Sequence, residues 1–390
     1  MKIAIGIYHL SPRGGLEDHA IRIAGELSGR GHEVVLYTTG DVPDVALPVV
    51  SLERRRWPTT NHGRMAAFAA HFREATRGKY HRIVGFQPIP GTDVLFLADH
   101  LRNRADAPAL KRLLPRFRTY ARLEAACFGP GSATRIMGLA HPQMEAFVRR
   151  YPESRSRIVI LPPTIKESRR APHLRTPELR ATTRKRLGID GDAKTWLWLG
   201  LQPHIKGLDR VVDALASVKE ATLLVGGISP KAPKLAPIIR SADRLGISHR
   251  IRWLGYLSGN DLLGVFGAAD VLSHPARVDV TGGVILEALV NGLPVVATSE
   301  CGFAVHIERS RGGMVVKAPF DGHVFARLLI EACGLQNAEL SRNGIAYGES
   351  PELYSGLAVA CDLIEAETWP REMTMVSDGA GNVLTPAASA

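Results

Sequence analysis

Residues 2–8, "KIAIGIY", form an almost unbroken apolar run of strand length with no alternation. A strand covered on both faces reads this way, because neither side of its pleat needs to be polar. A loop with Gly14 and Gly15 follows, and then "LEDHAIRIAGELSGRG" repeats Ile21, Ala24 and Leu27 at helical spacing before stopping at Gly31. "HEVVLYTT" is the next strand, so the first forty residues spell strand, glycine loop, helix, strand, a βαβ unit. Further short strands are predicted at "RIVGF" (82–86), "DVLFLA" (93–98) and "RIVILP" (157–162).

The same grammar restarts at "KTWLWLG" (194–200), with the loop "QPHIKG" and the helix "LDRVVDALASV" behind it. "ATLLVGG" (221–227), "IRWLGY" (251–256), "ADVLSHPA" (269–276) and "LPVVAT" (293–298) continue it. The pattern predicts an α/β protein of two Rossmann-like parallel-sheet domains, residues 1–163 and 164–366. The polar, basic, proline-marked stretch 164–186 reads as a linker region, and 367–390 as a loosely ordered tail. Open parallel sheets bind ligands beyond the carboxyl ends of their strands, so the expected site is a cleft faced by both domains.

Composition narrows the choice of partner. The chain has 390 residues, 45% of them hydrophobic, which supports two sizeable cores. Its 49 Lys and Arg against 38 Asp and Glu leave a net charge of +11, suited to a phosphorylated substrate, an anionic membrane surface or nucleic acid. No RNA- or DNA-binding motif accompanies that charge, so nucleic acid is not expected. Cys127, Cys301, Cys333 and Cys361 are scattered, without a CxxC pair or zinc spacing, which predicts a reducing compartment and no disulfide framework. The apolar run after Met1 ends by His9, too short for a signal peptide, and no run approaches twenty apolar residues. The expectation is a soluble cytoplasmic protein.

Three loops carry candidate chemistry, each just after a predicted strand. In "DVTGGVILEAL", Gly282 and Gly283 stand where a strand hands over to a helix. Unpaired N–H groups and the helix dipole attract anions there, and the missing Cβ admits a diphosphate. Asp279 lies before the turn, on the side a sugar would take, and Glu287 lies one turn into the helix, able to accept from ribose hydroxyls. The same residues are compatible with a plain turn between solvated acids. Lys206 in "QPHIKGLDR" sits in a strand-to-helix loop of the same half, as a point charge for phosphate or as a solvated loop lysine. Gly14 and Gly15 precede the first helix, but without a GxGxxG fingerprint. There is no HExxH, GxSxG or Walker lysine motif, and "DGD" (190–192) reads as a turn rather than a metal-binding DxD. Residues 101–122 interleave Arg102, Arg104, Lys111, Arg112, Arg116, Arg118 and Arg122 with Leu110, Leu113, Leu114, Phe117 and Tyr120. That is either a membrane-facing basic amphipathic segment or an ordinary helix with a leucine stripe on the core, broken at Pro115.

Taken together, "GGL" (14–16), "TNHGR" (60–64), "VGFQPIPGTDVLFLAD" (84–99), "ILPP" (160–163), "KG" (206–207) and "HPARVDVTGGVILEA" (274–288) resemble the retaining glycosyltransferases of the GT-B fold, glycosyltransferase family four. More narrowly they resemble the glucosyltransferases I of the lipopolysaccharide core. The likeness runs over roughly residues 1–365. "TNHGR" and the "GF…PG.DV" pattern are specific to that group, whereas the acidic pair around the diglycine belongs to the whole superfamily.

The resemblance implies a UDP-sugar donor, with glucose as the hexose, an inner-core heptose or similar lipid-linked glycan as acceptor, and no cofactor or metal. It implies catalytic roles for Asp99, Lys206 and Asp279. Donor contacts would come from Gly14, Gly15, Lys206, Asp279, Gly282, Gly283, Val284 and Glu287, and acceptor contacts from Thr60, Asn61, His62, Arg64 and Asp99. It also implies a peripheral attachment to the inner face of the cytoplasmic membrane through residues 101–122. Three positions depart from the pattern: Asp279 stands for a glutamate, Ile205 for an arginine, and His19 for an aspartate. Arg277 is expected to supply the charge lost at Ile205.

Overall fold

The computed structural model describes residues 1–370 apart from 12–13, 41, 43, 54–56, 103–107, 192 and 258. The described chain forms two compact units, one of Met1–Thr164 with residues 355–370, the other of Ile165–Tyr354. Both are built on parallel sheets. Within the first, the described strands are β1 (Lys2–His9), β2 (Glu33–Thr39), β3 (Val49–Ser51), β4 (Arg82–Gly85), β5 (Val94–Phe96), β6 (Arg135–Gly138) and β7 (Ile158–Ile160). They lie in the order β3-β2-β1-β4-β5-β6-β7, all pairs parallel. The second has β8 (Lys194–Leu199), β9 (Ala221–Gly226), β10 (Ile251–Gly255), β11 (Val271–His274), β12 (Val295–Thr298) and β13 (Gly313–Val316), in the order β10-β9-β8-β11-β12-β13, again parallel.

The unbroken apolar runs are the strands covered on both faces. Ile3, Ala4, Ile5 and Ile7 of β1 are fully buried, as are Trp196, Leu197 and Trp198 of β8. In each unit the strand order reverses once, between β1 and β4 in the first and between β8 and β11 in the second. At such a switch point two neighbouring connections leave in opposite directions and open a crevice at the carboxyl edge.

The expected domain boundary needs one correction. The sequence pattern predicts a second domain of 164–366, but Ala360, Cys361, Leu363 and Ile364 pack in the core of β1 and the helix Gly15–Gly29. The chain therefore returns to the first unit within the helix Glu352–Glu365. Its apolar face looks like any other helix in sequence, and only packing assigns it. Of the tail, residues 371–390 lie outside the described residues, as does Asp192 of "DGD".

Much of the arginine excess is structural. Arg157 donates to the carbonyls of Cys127, Phe128 and Thr134. Arg250 reaches Leu215, Val218 and Lys219, at and beyond the end of the helix Leu208–Ser217. Arg175 and Arg180 cover the last carbonyls of the helix Gly259–Ala268 and the residue after it. Carbonyls at a helix C-terminus have no intrahelical partner, and a cation also suits the negative end of the dipole. The net charge thus overstates the positive charge offered to a ligand.

One buried base sets an acid limit for the second unit. His306, 6% exposed, accepts a hydrogen bond on Nδ1 from the Tyr347 hydroxyl at 2.6 Å. Burial, helped by the nearby Arg309 charge, pushes its pKa down to about 4 from an ordinary 6.5. The unfolded chain therefore binds the extra proton between those values and the native state does not. This contribution to stability is complete above pH 6.5, falls as pH drops through the window and levels off below 4, a loss of about 3 kcal/mol. His306→Gln keeps an acceptor for Tyr347 and does not titrate. Its urea midpoint is expected to fall less than that of the parent between pH 7 and 4.5.

Candidate donor and acceptor sites

In the second unit the site grows out of the switch point. The loop after β8 holds Lys206 and the loop after β11 holds Asp279. The two loops are tied by a hydrogen bond from the Arg277 N–H to the Ile205 carbonyl, 2.8 Å. Trp198, buried in β8, donates its indole N–H to the Lys206 carbonyl at 3.0 Å and fixes the turn from inside. Gly207 then starts the helix Leu208–Ser217 at φ 73°, and a Cβ there would stand 2.0 Å from the Pro275 carbonyl oxygen. The Lys206 loop can lie this close to the β11 loop only because residue 207 has no side chain.

Lys206 Nζ is 2.7 Å from Asp279 Oδ2, and His274 Nε2 is 2.9 Å from the same oxygen. His274 ends β11 and is 1% exposed. Its Nε2–H donates to the carboxylate. The Asp279 backbone is pinned as well, donating to Glu300 O at 3.2 Å and accepting from Gly302 N at 3.0 Å. Burial would raise the Asp279 pKa, but the His274 hydrogen bond and the charges of His274 and Lys206 outweigh it and hold the group at about 2. Burial likewise opposes the charged form of His274, and the bond to Asp279 overcomes it, raising the imidazole above its ordinary value. Asp279 is thus an anion throughout the physiological range.

Three residues beyond Asp279 lies the glycine turn. Gly282, at φ 78°, caps the helix Gly283–Val290, and a Cβ on Gly283 would meet nothing within 4 Å among the described residues. The helix N-terminus is therefore open, as an anion site requires. Glu287 does not join the Lys206–Asp279 pair. Its Oε2 is 3.4 Å from Arg169 Nη1, and Asn291 staples the two segments by donating to the carbonyls of both Arg169 and Glu287 at 2.7 Å. Sequence reasoning missed His274, Arg169 and Asn291. For His274 a signal existed, a histidine ending the buried run "VLSH"; Arg169 lay hidden in the basic linker.

Arg277 requires a correction. Its guanidinium makes a bidentate pair with Asp209, at 2.8 and 2.6 Å, and also donates to the His204 carbonyl at 2.6 Å. The charge expected to replace the arginine missing at Ile205 is already neutralised within the loop.

In the first unit, Gly14 precedes the helix Gly15–Gly29, and a Cβ on Gly15 would meet nothing within 4 Å among the described residues. His19 spans from this turn to the end of the unit, with Nδ1 2.6 Å from Gly15 O and Nε2 2.5 Å from Thr164 Oγ1. Thr60 caps the helix Asn61–Thr76, accepting from Gly63 N at 3.3 Å, and lies 3.4 Å from His62 Nε2. Arg64 pairs with Glu53 at 2.7 Å. The "TNHGR" motif thus borders the end of β1, where the Arg64 charge acts on Tyr8 and His9. Asp99 pairs with Arg102 at 3.2 Å, its carbonyl accepts from Gln143 at 2.7 Å, and the Arg102 guanidinium stacks 4.3 Å from the Tyr120 ring.

Of residues 101–122, 103–107 (Arg104 among them) lie outside the described residues. The remainder breaks at Pro115 into the helices Ala109–Leu113 and Pro115–Phe128. Leu110, Leu113 and Leu114 are 80%, 72% and 55% exposed, beside exposed Lys111, Arg112, Arg116 and Arg118. These leucines do not face the core, so the leucine-stripe reading fails for them; the core contact is made further on, by Leu123, Cys127 and Phe128.

Two parallel-sheet units, each with its glycine turn and charged loops at the carboxyl edge, define a glycosyltransferase of the GT-B fold. The Glycosyl transferases group 1 family matches residues 180–350. The chain is 34% identical over 385 residues to the lipopolysaccharide glucosyltransferase WaaG of Escherichia coli K12, covering 93% of this chain and 98% of that protein. It belongs to that glycosyltransferase family. A D-inositol 3-phosphate glycosyltransferase of Mycolicibacterium smegmatis is 27% identical over 391 residues, 87% of this chain and 85% of that one. The crystal structure of WaaG superposes with a TM-score of 0.84 at 32% identity, over 93% of this chain and 99% of that one. Anabaena HepE in complex with UDP and glucose shares the fold, with a TM-score of 0.72 at 17% identity over 94% of this chain and 100% of that one.

Proposed function

We propose that this glycosyltransferase moves a hexose, glucose, from UDP to an inner-core heptose of lipopolysaccharide or a similar lipid-linked glycan, with retention at the anomeric carbon. The observation that carries the reading is the meeting of Lys206 with Asp279 beside the open Gly282–Gly283 helix start. A sugar nucleotide needs a cation and unpaired N–H groups at its diphosphate and an acid at its sugar hydroxyls. Gly282, Gly283 and Val284 face the diphosphate region, Asp279 the hexose, and Glu287 with Arg169 the ribose. In the first unit, Gly14 and Gly15 start a helix at a turn suited to a phosphate. Thr60, Asn61, His62, Arg64 and Asp99 take the acceptor.

The acceptor hydroxyl oxygen forms the new bond to the anomeric carbon as the bond to the β-phosphate oxygen breaks, and that departing phosphate takes the acceptor proton. Lys206 neutralises the charge that grows on UDP, where preorganised positive charge contributes most. No metal is required on this reading, so transfer is expected to persist in a chelator. A panel of UDP-glucose, UDP-galactose and UDP-N-acetylglucosamine against truncated core lipopolysaccharide, with product linkage determined, tests it. UDP release that does not depend on acceptor, or transfer from none of the three donors, would overturn it.

The acceptor is lipid-linked, and the exposed leucines among arginines at 110–118 suit an anionic membrane surface on the cytoplasmic side. No helix among the described residues is long and apolar enough to cross a membrane. Burying one leucine in the interface is worth about 1.5–3 kcal/mol. Leu113→Asp with Leu114→Asp is therefore expected to lower co-sedimentation with phosphatidylglycerol vesicles at least ~10-fold. Transfer to a soluble acceptor analogue should be unchanged.

A further inference from the structure

We propose that His274 is the positioning residue of the transfer reaction: it holds Asp279 Oδ2 so that Lys206 and Asp279 Oδ1 stay set toward the donor. The inference rests on the donor reading above and goes beyond it, since His274 has no place among the donor contacts.

Three observations lead there. The two cations converge on one oxygen, Lys206 at 2.7 Å and His274 at 2.9 Å, both on Oδ2, so Oδ1 takes neither bond. Lys206 stands at the accessible side, with its side chain 24% exposed, whereas that of His274 is 2% exposed and closes the carboxylate from within. His274 Nδ1 is buried and, among the described residues, has no oxygen or nitrogen partner, with only the weak Cys301 thiol acting on the imidazole besides Asp279. A buried imidazole whose second nitrogen has at most a weak thiol partner is a poor device for stability, because an apolar side chain of similar size would avoid that desolvation cost. What the imidazole supplies and an apolar group does not is a fixed N–H aimed at one carboxylate oxygen.

The need for that N–H follows from the side-chain length. Aspartate, one methylene shorter than the glutamate of the family pattern, has less reach to follow its ligand, so its rotamer must be set in advance. With the backbone of residue 279 pinned at both its N–H and its carbonyl, the remaining freedom is rotation of the carboxylate. His274 removes it. Loss of the N–H would release the carboxylate, and Lys206 would follow, costing more in the transition state than in donor binding.

His274→Gln and His274→Met test this as a matched pair of nearly equal length and volume, of which only glutamine carries an N–H donor. The full-length enzyme is assayed for kcat and donor KM, and UDP affinity is measured by calorimetry. The expected result is a kcat lowered about 30- to 100-fold in His274→Met with UDP affinity within about threefold of the parent. His274→Gln should recover to within about fivefold of the parent. Should the methionine variant not fold, His274→Leu takes its place. The proposal is overturned if the two variants are equally impaired, if the apolar variant keeps near-parental kcat, or if UDP affinity falls in step with kcat. Failure of the parent enzyme itself to bind UDP would instead overturn the donor reading.

Discussion

Lys206→Ala is expected to lower kcat/KM for the UDP-sugar by about 10³-fold while the protein remains folded. Among the described residues, the side chain supplies the one cation that both touches Asp279 and stands at the accessible face of the β8 and β11 loops. Arg277, in the same pair of loops, is held by Asp209 and has no charge to lend. Two losses coincide. The departing diphosphate loses its counter-charge, and Asp279 keeps only His274 as a charge partner. Most of the effect should fall on kcat, since the charge on the leaving group grows in the transition state. Lys206→Arg is expected to recover only part of the rate, because a planar fork cannot occupy the position of a compact ammonium without moving Asp279. Steady-state kinetics with UDP-glucose and an acceptor analogue, beside thermal unfolding of each variant, check this. An alanine variant within tenfold of the parent would remove Lys206 from the machinery.

Gly207→Ala, by contrast, should damage the fold itself. At φ 73° an L-residue is strained, and the added Cβ would stand 2.0 Å from a carbonyl oxygen of the neighbouring loop rather than from a side chain able to swing away. A loss of at least about 3 kcal/mol is expected, read as a lower denaturant midpoint, with transfer lost as the Lys206 and Asp279 loops part. Gly283→Ala is the instructive contrast. Its Cβ meets nothing within 4 Å, so stability should hold while the donor KM rises, because the methyl group enters the space the diphosphate needs. Equal destabilisation by both substitutions would contradict this account of the turn.

Some of this is visible in the residues alone. The strand runs at 2–8, 194–200 and 221–227 can be read because burial on both faces leaves no polar alternation to confuse them. The glycine turns at 14–15 and 282–283 stand out because they interrupt strand and helix patterns at one point. Other elements escape. β3, β6 and β13 have three or four residues each, too few for a period to declare itself; β4, β5 and β7 are as short, but their apolar runs extend past the strand and mark them. The fate of Leu110, Leu113 and Leu114 was open, since a leucine beside arginines reads alike whether it faces a core or solvent. The arginines that cap carbonyls cannot be told in sequence from those that await a phosphate.

What the sequence by itself determined is the local alphabet: parallel strands, glycine turns before helices, and an acid and a lysine each placed behind a strand. These depend on burial pattern and backbone freedom, which neighbouring residues set. Only the tertiary structure decided which of those groups meet. The order β10-β9-β8-β11-β12-β13 puts the loops holding Lys206 and Asp279 side by side although the two residues are 73 positions apart (279 − 206 = 73). The same packing brings His274 under Asp279, pairs Arg277 with Asp209, and returns residues 355–366 to the first unit. Pairing of charges and docking of helices are long-range choices, made by the sheet order and the shape of the core, and no local pattern encodes them.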